Sequence, residues 1–265
     1  MQAPVDSQTL VALLERFPAP ELVDVRTAAA VADNPVAIPG ALACDPQTLL
    51  EWSARLERWR AVIVYCKEGH ARSLDAASTL CALGFRARAL AGGLAAWQAQ
   101  GGRTVALRAP TRWVTRARPK IDRIACPWLV RRFIDPAAEF HFVPAGDVLA
   151  FAGQHDAIPF DVPGVAYTHE DAQCSFDAFI ARHDLHDPAL ARLALIVRAA
   201  DTGALDLAAQ APGLLAVSLG LSRVFDDDDA QLRAGLLVYD ALYAWCSDAQ
   251  HETHTRNPAA LRRAA

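Results

Sequence analysis

Residues 62–73 read "VIVYCKEGHARS". Val62, Ile63, Val64 and Tyr65 form a β-rich apolar run that stops at Cys66. Such a run, bounded by turn residues, reads as a buried strand of a parallel sheet. The next stretch, "RSLDAASTLCALGF" (72–85), places Leu74, Ala77, Leu80 and Cys81 on one face and stops at Gly84. That predicts an amphipathic helix with a glycine end. A thiol therefore sits between a strand end and a helix start, and in open α/β sheets ligands bind at the carboxyl ends of strands. The tight turn directs backbone N–H groups at one spot, and the helix N-terminus adds partial positive charge. Lys67, His70 and Arg72 add more. Each effect lowers a thiol pKa, and the thiolate is the nucleophile. The plainer reading is a small buried cysteine at a strand end.

Working outward, "ELVDVRT" (21–27) and "RARAL" (86–90) read as further strands. "DSQTLVALLERF" (6–17) and the region after Ala91 in "AGGLAAWQAQGG" (91–102) read as helices. Strands that alternate with helices imply an α/β sheet.

The chain has 265 residues, 53% hydrophobic and 21% charged, which suits one or two globular domains. No apolar run approaches the roughly 18 residues of a membrane span, and the N-terminus lacks a basic and an apolar signal region. The six cysteines (Cys44, Cys66, Cys81, Cys126, Cys174 and Cys246) form no Cys-x-x-Cys pair. Reduced thiols and a cytoplasmic location are expected. Net charge is −4, but residues 108–132 hold eight basic residues and one acid, Asp122. The chain after them is acidic. This basic island reads as internal ion pairing or as an anion site. It is too short to favour nucleic acid.

Residues 21–102 resemble a single rhodanese domain through "LVDVR" (22–26), "IPGA" (38–41), "YCKEGHARS" (65–73) and "GFRARALAGGLAAW" (84–97). The resemblance implies an α/β domain, a parallel sheet flanked by helices. It also implies a sulfurtransferase in which Cys66 carries a persulfide. The loop of Lys67, Glu68, Gly69, His70, Ala71, Arg72 and Ser73 would cradle the sulfur, and Asp24 would support the site. Thiosulfate or another sulfane-sulfur donor and a thiol acceptor are the implied partners, with no cofactor. Two departures stand out. Ala37 replaces the usual histidine before "IPGA", and Arg72 lies six residues after the cysteine where five is common. A Cys-x5-Arg loop is that of the related dual-specificity phosphatases and arsenate reductases. An oxyanion enzyme using Cys66 and Arg72 is therefore the rival, with a bidentate arginine on the anion.

"TVALRAPTRW" (104–113) marks the joint, which gives domains at 1–106 and 113–250, a linker at 107–112 and a tail at 251–265. The second domain reads as mainly helical α+β. In "WVTRARPKIDRIACPWLVRRFIDP" (113–136) a helix is expected from about Lys120 to Ile134, with a kink or restart at Pro127. Strands are expected in 138–147 and 158–177, helices over 187–201 and 226–246, and a buried apolar helix over 212–225. "ARHDLHD" (181–187) reads as a solvated helix end. His169, Glu170 and Cys174 offer metal-ligand chemistry, although their spacing matches no common zinc motif.

Residues 113–246 resemble the C-terminal domain of the chromate-resistance protein B family. The stretches that carry this are "WVTRARPKIDRIACPWLVRRFID", "IPFDVPGVAYTHEDAQCSFDAF", "LARLALIVRAADTGALDLA" and "GLLAVSLGLSRVFDDDDAQLRAGLLVYDALYAWC". The resemblance implies a role in chromate resistance or chromate-responsive regulation, and chromate is the candidate ligand. A tetrahedral dianion calls for arginine and histidine. Arg116, Arg123 and His169 are the first candidates, and Lys120, Arg131 and Arg132 follow. A non-enzymatic sensor is the third reading. No helix-turn-helix is evident, which argues against direct DNA binding.

Overall fold

The computed structural model describes residues 3–14, 16, 18–107 and 109–252. They form two compact units, Met1–Arg112 with Leu129–Glu139, and Trp113–Trp128 with Phe140–Ala265. The first break falls at Arg112. The inclusion of 129–139 in the first unit was not foreseen. Thr111 anchors it by donating its N–H and Oγ1 to Asp135 Oδ2, both at 2.7 Å.

In the first unit, helix α1 (Ser7–Leu14) precedes β1 (Glu21–Asp24), α2 (Ala28–Asp33), β2 (Val36–Ala37), β3 (Ala41–Ala43) and α3 (Leu49–Ser53). Then come β4 (Ala61–Tyr65), α4 (Ala71–Ala82), β5 (Arg86–Ala89), α5 (Gly93–Ala99) and β6 (Val105–Ala106). The main sheet has the order β3-β1-β4-β5 and is parallel throughout. β2 and β6 make a separate antiparallel pair. Strand β4 is central, and its two faces feed different cores. Val62, Val64 and Cys66 pack with Leu80 and Phe85, while Ile63 and Tyr65 pack with Leu10, Leu94 and Trp97. A strand buried on both faces must be apolar at every position, which is why 62–65 shows no alternation.

The second unit holds β7 (Arg112–Arg116), α6 (Asp122–Leu129), β8 (Glu139–Val143), α7 (Val148–His155), β9 (Ile158–Pro159) and α8 (Ser175–Arg182). Helices α9 (Pro188–Thr202), α10 (Ala211–Val224) and α11 (Asp228–Ala244) follow; β7 and β8 cross the boundary by a residue, and α6 runs one past it. The small sheet has the order β8-β7-β9. Trp113 packs among Phe160, Tyr167 and Phe179. Trp128 is fully buried, donates to Asp240 Oδ1 at 2.7 Å and lies against Phe176 and Tyr239.

Three expectations change. The helix at 122–129 runs through Pro127, with the irregularity a turn later, as a π-helical turn at Val130–Ile134. Burial of Trp128 and Leu129 holds the helix across the one backbone bond that Pro127 removes. Helix α7 within 148–155 was not foreseen. Helix α10 is not a buried apolar helix. It buries Ser218 and Ser222 and exposes Val217, Leu219 and Val224. Its inner face serves a loop by hydrogen bonds: Ser218 Oγ accepts from Ile121 N at 2.9 Å, and Arg118 donates to the Ser222 carbonyl. No helix among the described residues is long and apolar enough to cross a membrane. Most of the expected tail, from 253 on, lies outside the described residues.

Candidate functional site

Cys66 follows β4 directly and is 6% exposed. Ser73 Oγ lies 3.3 Å from its Sγ, and the backbone N–H groups of Glu68, Gly69 and His70 face the sulfur closely enough to favour its charged form. Burial alone raises the thiol pKa. The Ser73 hydroxyl and the three N–H groups outweigh it, so the net shift is downward.

The peptide planes of this loop are set from behind. Leu94 N donates to the Cys66 carbonyl and Ala95 N to the Lys67 carbonyl, both at 2.9 Å. With these carbonyls turned toward α5, the following N–H groups are left to face the sulfur. The approach is too close for side chains. A Cβ on Gly93, at φ +58°, would lie 2.3 Å from the Cys66 carbonyl oxygen, and one on Gly69 would lie 2.5 Å from Gly92 N. The "AGG" at 91–93 is thus the clamp for the cysteine loop, a function the sequence reading did not give it.

A cavity of about 180 Å³ opens at the thiol, lined by Arg26, Thr27, Ala30, Lys67, Glu68, His70 and Arg72. Asp24 is not among its lining residues. It is buried and grips Arg26, with Nη2–Oδ2 at 2.6 Å and Nε–Oδ2 at 2.9 Å. Arg26 also donates to the carbonyls of Asn34 and Val36. Asp24 therefore acts through Arg26, which the sequence reading missed. The pair shows in the sequence as Asp-x-Arg at the end of β1. His70 is exposed and lies 3.5 Å from Glu68. The side chains of Lys67 and Arg72 make no ion pair among the described residues, so the mouth of the cavity presents two cations beside the Glu68 carboxylate.

The second unit has a denser cluster. Asp122 opens α6 and Asp201 lies in the last turn of α9. His169 Nε2 lies 3.3 Å from Asp122 Oδ2, 3.2 Å from Asp201 Oδ2 and 3.4 Å from Asp161 Oδ1. Contact with Asp122 is the largest cause that raises the imidazole pKa, to about 9, and the charges of Asp201 and Asp161 add to it. Burial, then the negative charge of Asp122, raises Asp201 to about 7. Asp161 is pushed up by burial and by Asp122. Its Oδ2 accepts from Arg116 Nη2 at 2.6 Å and lies 3.2 Å from Arg123 Nε, and its Oδ1 accepts from Ser175 Oγ at 3.0 Å.

Most of the expected anion ligands are thus already engaged within the protein. Arg116 and Arg123 share Asp161, and His169 stands among three carboxylates. Arg131 donates to the Ala138 carbonyl and Arg132 to Glu57 at 2.9 Å. Lys120 has no ion pair among the described residues. The expected metal set is not assembled either. Glu170 is exposed and lies 3.4 Å from Arg182. Cys174 is fully buried and caps α8 by donating its N–H to Asp177 Oδ2 at 3.0 Å, and burial pushes its thiol up. Among the described residues His169 is gathered instead with Asp122 and Asp201. Neither was visible from spacing, since the three lie far apart in the sequence.

Residues 113–246 match the family described as the ChrB C-terminal domain, and residues 7–100 match the rhodanese-like domain. A stretch of 132 residues, 49% of this chain, is 39% identical to Protein ChrB of Cupriavidus metallidurans. That stretch is 39% of the relative's own length, so the chain spans well under two thirds of it. Among solved structures, the Alr3790 protein from Anabaena sp. is 35% identical, over 39% of this chain and 80% of that one, with a TM-score of 0.35. A rhodanese-related protein from Thermoplasma volcanium is 24% identical, over 39% of this chain and 98% of that one, also with a TM-score of 0.35.

Proposed function

The chain belongs to the ChrB C-terminal domain family and carries a rhodanese-like domain ahead of that part, and from this premise we propose that Cys66 is a sulfur carrier working in chromate resistance. The observation that carries the reading is the cradle around Sγ: one hydroxyl and three backbone N–H groups, which lower the thiol pKa despite its burial. The thiolate attacks the outer sulfur of thiosulfate. A new S–S bond forms on Cys66, the sulfane bond of the donor breaks, and sulfite leaves with the electron pair. A thiophile then attacks the outer sulfur of the persulfide and regenerates the Cys66 thiolate. The same N–H groups that hold the thiolate can hold the terminal persulfide sulfur. Lys67, Arg72 and the cavity mouth attract the anionic donor. No cofactor takes part in either step, and a reduced, cytoplasmic setting keeps the thiol available.

The test is thiocyanate production from thiosulfate and cyanide. Wild type is expected to be active and Cys66→Ser inactive. Equal activity in both would overturn the assignment.

Arg72 supports a second reading. It lines the same cavity with no ion pair among the described residues, at the Cys-x5-Arg spacing suited to a bidentate oxyanion contact. On that reading the protein hydrolyses a phosphate ester, or reduces arsenate or chromate with electrons from added thiols that end as disulfide, and Arg72→Ala abolishes turnover while Cys66 still alkylates. A purely sensory role predicts neither activity and a chromate-dependent gel shift on the operator.

A further inference from the structure

We propose that the second unit binds one divalent first-row transition-metal ion through Asp122 Oδ2, His169 Nε2 and Asp201 Oδ2, with a fourth position open to water or a ligand.

The spacing of the three atoms is the first argument. All lie within 4.8 Å of one another. His169 Nε2 stands 3.3 Å from one carboxylate oxygen and 3.2 Å from the other. Charge-assisted hydrogen bonds are shorter, roughly 2.7–2.9 Å. Zinc bonds to nitrogen and oxygen are about 2.0–2.1 Å, which makes the edge of a tetrahedron around the ion about 3.3 Å. Both separations from His169 match the edge expected of ligands on a common ion.

The second argument is an orphaned atom. Asp122 is 2% exposed, and its Oδ2 accepts no hydrogen bond of good geometry. The nearest cation, His169 Nε2 at 3.3 Å, stands beyond charge-assisted hydrogen-bond length, so this buried carboxylate oxygen is left without a close partner, which is destabilising unless something occupies it. The backbone that presents it is held firmly. Ile121, at φ +42°, is a β-branched residue in the left-handed region. Ser218 Oγ receives its N–H, and Tyr239 donates to its carbonyl at 2.7 Å.

Charge and chemistry narrow the ion. Asp161 is already met by Arg116, Arg123 and Ser175, so it positions the site and is not counted as a ligand. Two carboxylates and a neutral imidazole then balance a dication. Imidazole with carboxylate suits zinc, iron, cobalt or manganese. Calcium would need six to eight oxygens. Three protein ligands and one open position is the arrangement of metal sites that act on a bound water or ligand. The His169 side chain is 42% exposed, which gives the ion and its fourth ligand access.

The test uses the full chain with Cys66→Ser, which removes the reactive thiolate, after chelator treatment. Co²⁺ is titrated and read by its visible d–d absorption, and Zn²⁺ by calorimetry. One equivalent is expected, with a rise in Tm. His169→Gln and Asp201→Asn, both at partly exposed positions, should remove the spectrum while far-UV circular dichroism stays unchanged. Asp161→Asn should weaken Zn²⁺ by about 10–100-fold, as outer-shell losses do. Absence of saturable binding in the parent protein, or equal binding in the ligand variants, would overturn the proposal and leave a metal-free ion-pair cluster.

Discussion

At Cys66 the groups that shape the thiol lie between Glu68 and Ser73, clamped by the turn at 91–95, and most are backbone N–H groups. At His169 the partners come from residues 122, 161 and 201, and all are side chains. The first site is written as one contiguous stretch and depends on glycine to bring two backbone segments together. The second is assembled by the packing of α6, α9 and a loop, and depends on remote residues that hold its parts in register. A locally encoded site should fail when its loop is touched and tolerate distant change. An assembled site should respond to substitutions far away in the sequence.

The comparison can be broken first at Cys66 itself. Cys66→Ser should lose thiosulfate:cyanide sulfur transfer entirely while thermal stability stays near wild type, because the substitution is close in size. A stable, fully active variant would end the comparison.

Gly93→Ala tests the clamp. Its Cβ would fall 2.3 Å from the Cys66 carbonyl oxygen. Overpacking of this kind costs about 1–3 kcal/mol, read as a fall in denaturation midpoint, and the displaced loop should lose most of its sulfur transfer. Gly101→Ala serves as the control. It also has positive φ, but nothing lies within 4 Å of its Cβ position, so stability should fall without the same loss of transfer.

Ser218→Ala tests the assembled site from 97 residues away. It removes the acceptor for the buried Ile121 N–H, and an unsatisfied buried donor costs about 1–3 kcal/mol. The expected result is a lower Tm with unchanged Cys66 chemistry. Loss of sulfur transfer in this variant would show that the two sites are not built independently.

The smallest effect is at Ser73. Iodoacetamide alkylation of Cys66 should reach half its maximal rate below the pH 9.0 of an unperturbed thiol, because the folded pKa is lowered. Ser73→Ala removes one group that favours the thiolate, so the profile should move to higher pH and the rate at neutral pH should fall. A profile that does not move would assign the shift to the backbone N–H groups alone.

The same contrast explains what the sequence revealed. The strands at 21–24 and 61–65, the helix after Cys66 and the thiol at the carboxyl end of β4 follow from local apolar runs and glycine stops. Arg26 was passed over because its role depends on Asp24 and on carbonyls at 34 and 36. In the second unit the basic run at 108–132 was visible, but its carboxylate partners were not. Asp161 and Asp201 look like ordinary turn and helix-end residues until tertiary packing brings them to Arg116, Arg123 and His169. Helix α10 differs for a related reason: its inner face hydrogen-bonds to Ile121 and Arg118, so serine stands at two of its four buried positions.

The most direct measurement is mass spectrometry of the intact protein and of its Cys66 peptide after incubation with thiosulfate. The account predicts a gain of one sulfur atom on Cys66, removed by cyanide with release of thiocyanate and absent from Cys66→Ser. A folded wild-type protein that gains no sulfur, or gains it on another cysteine, would contradict it.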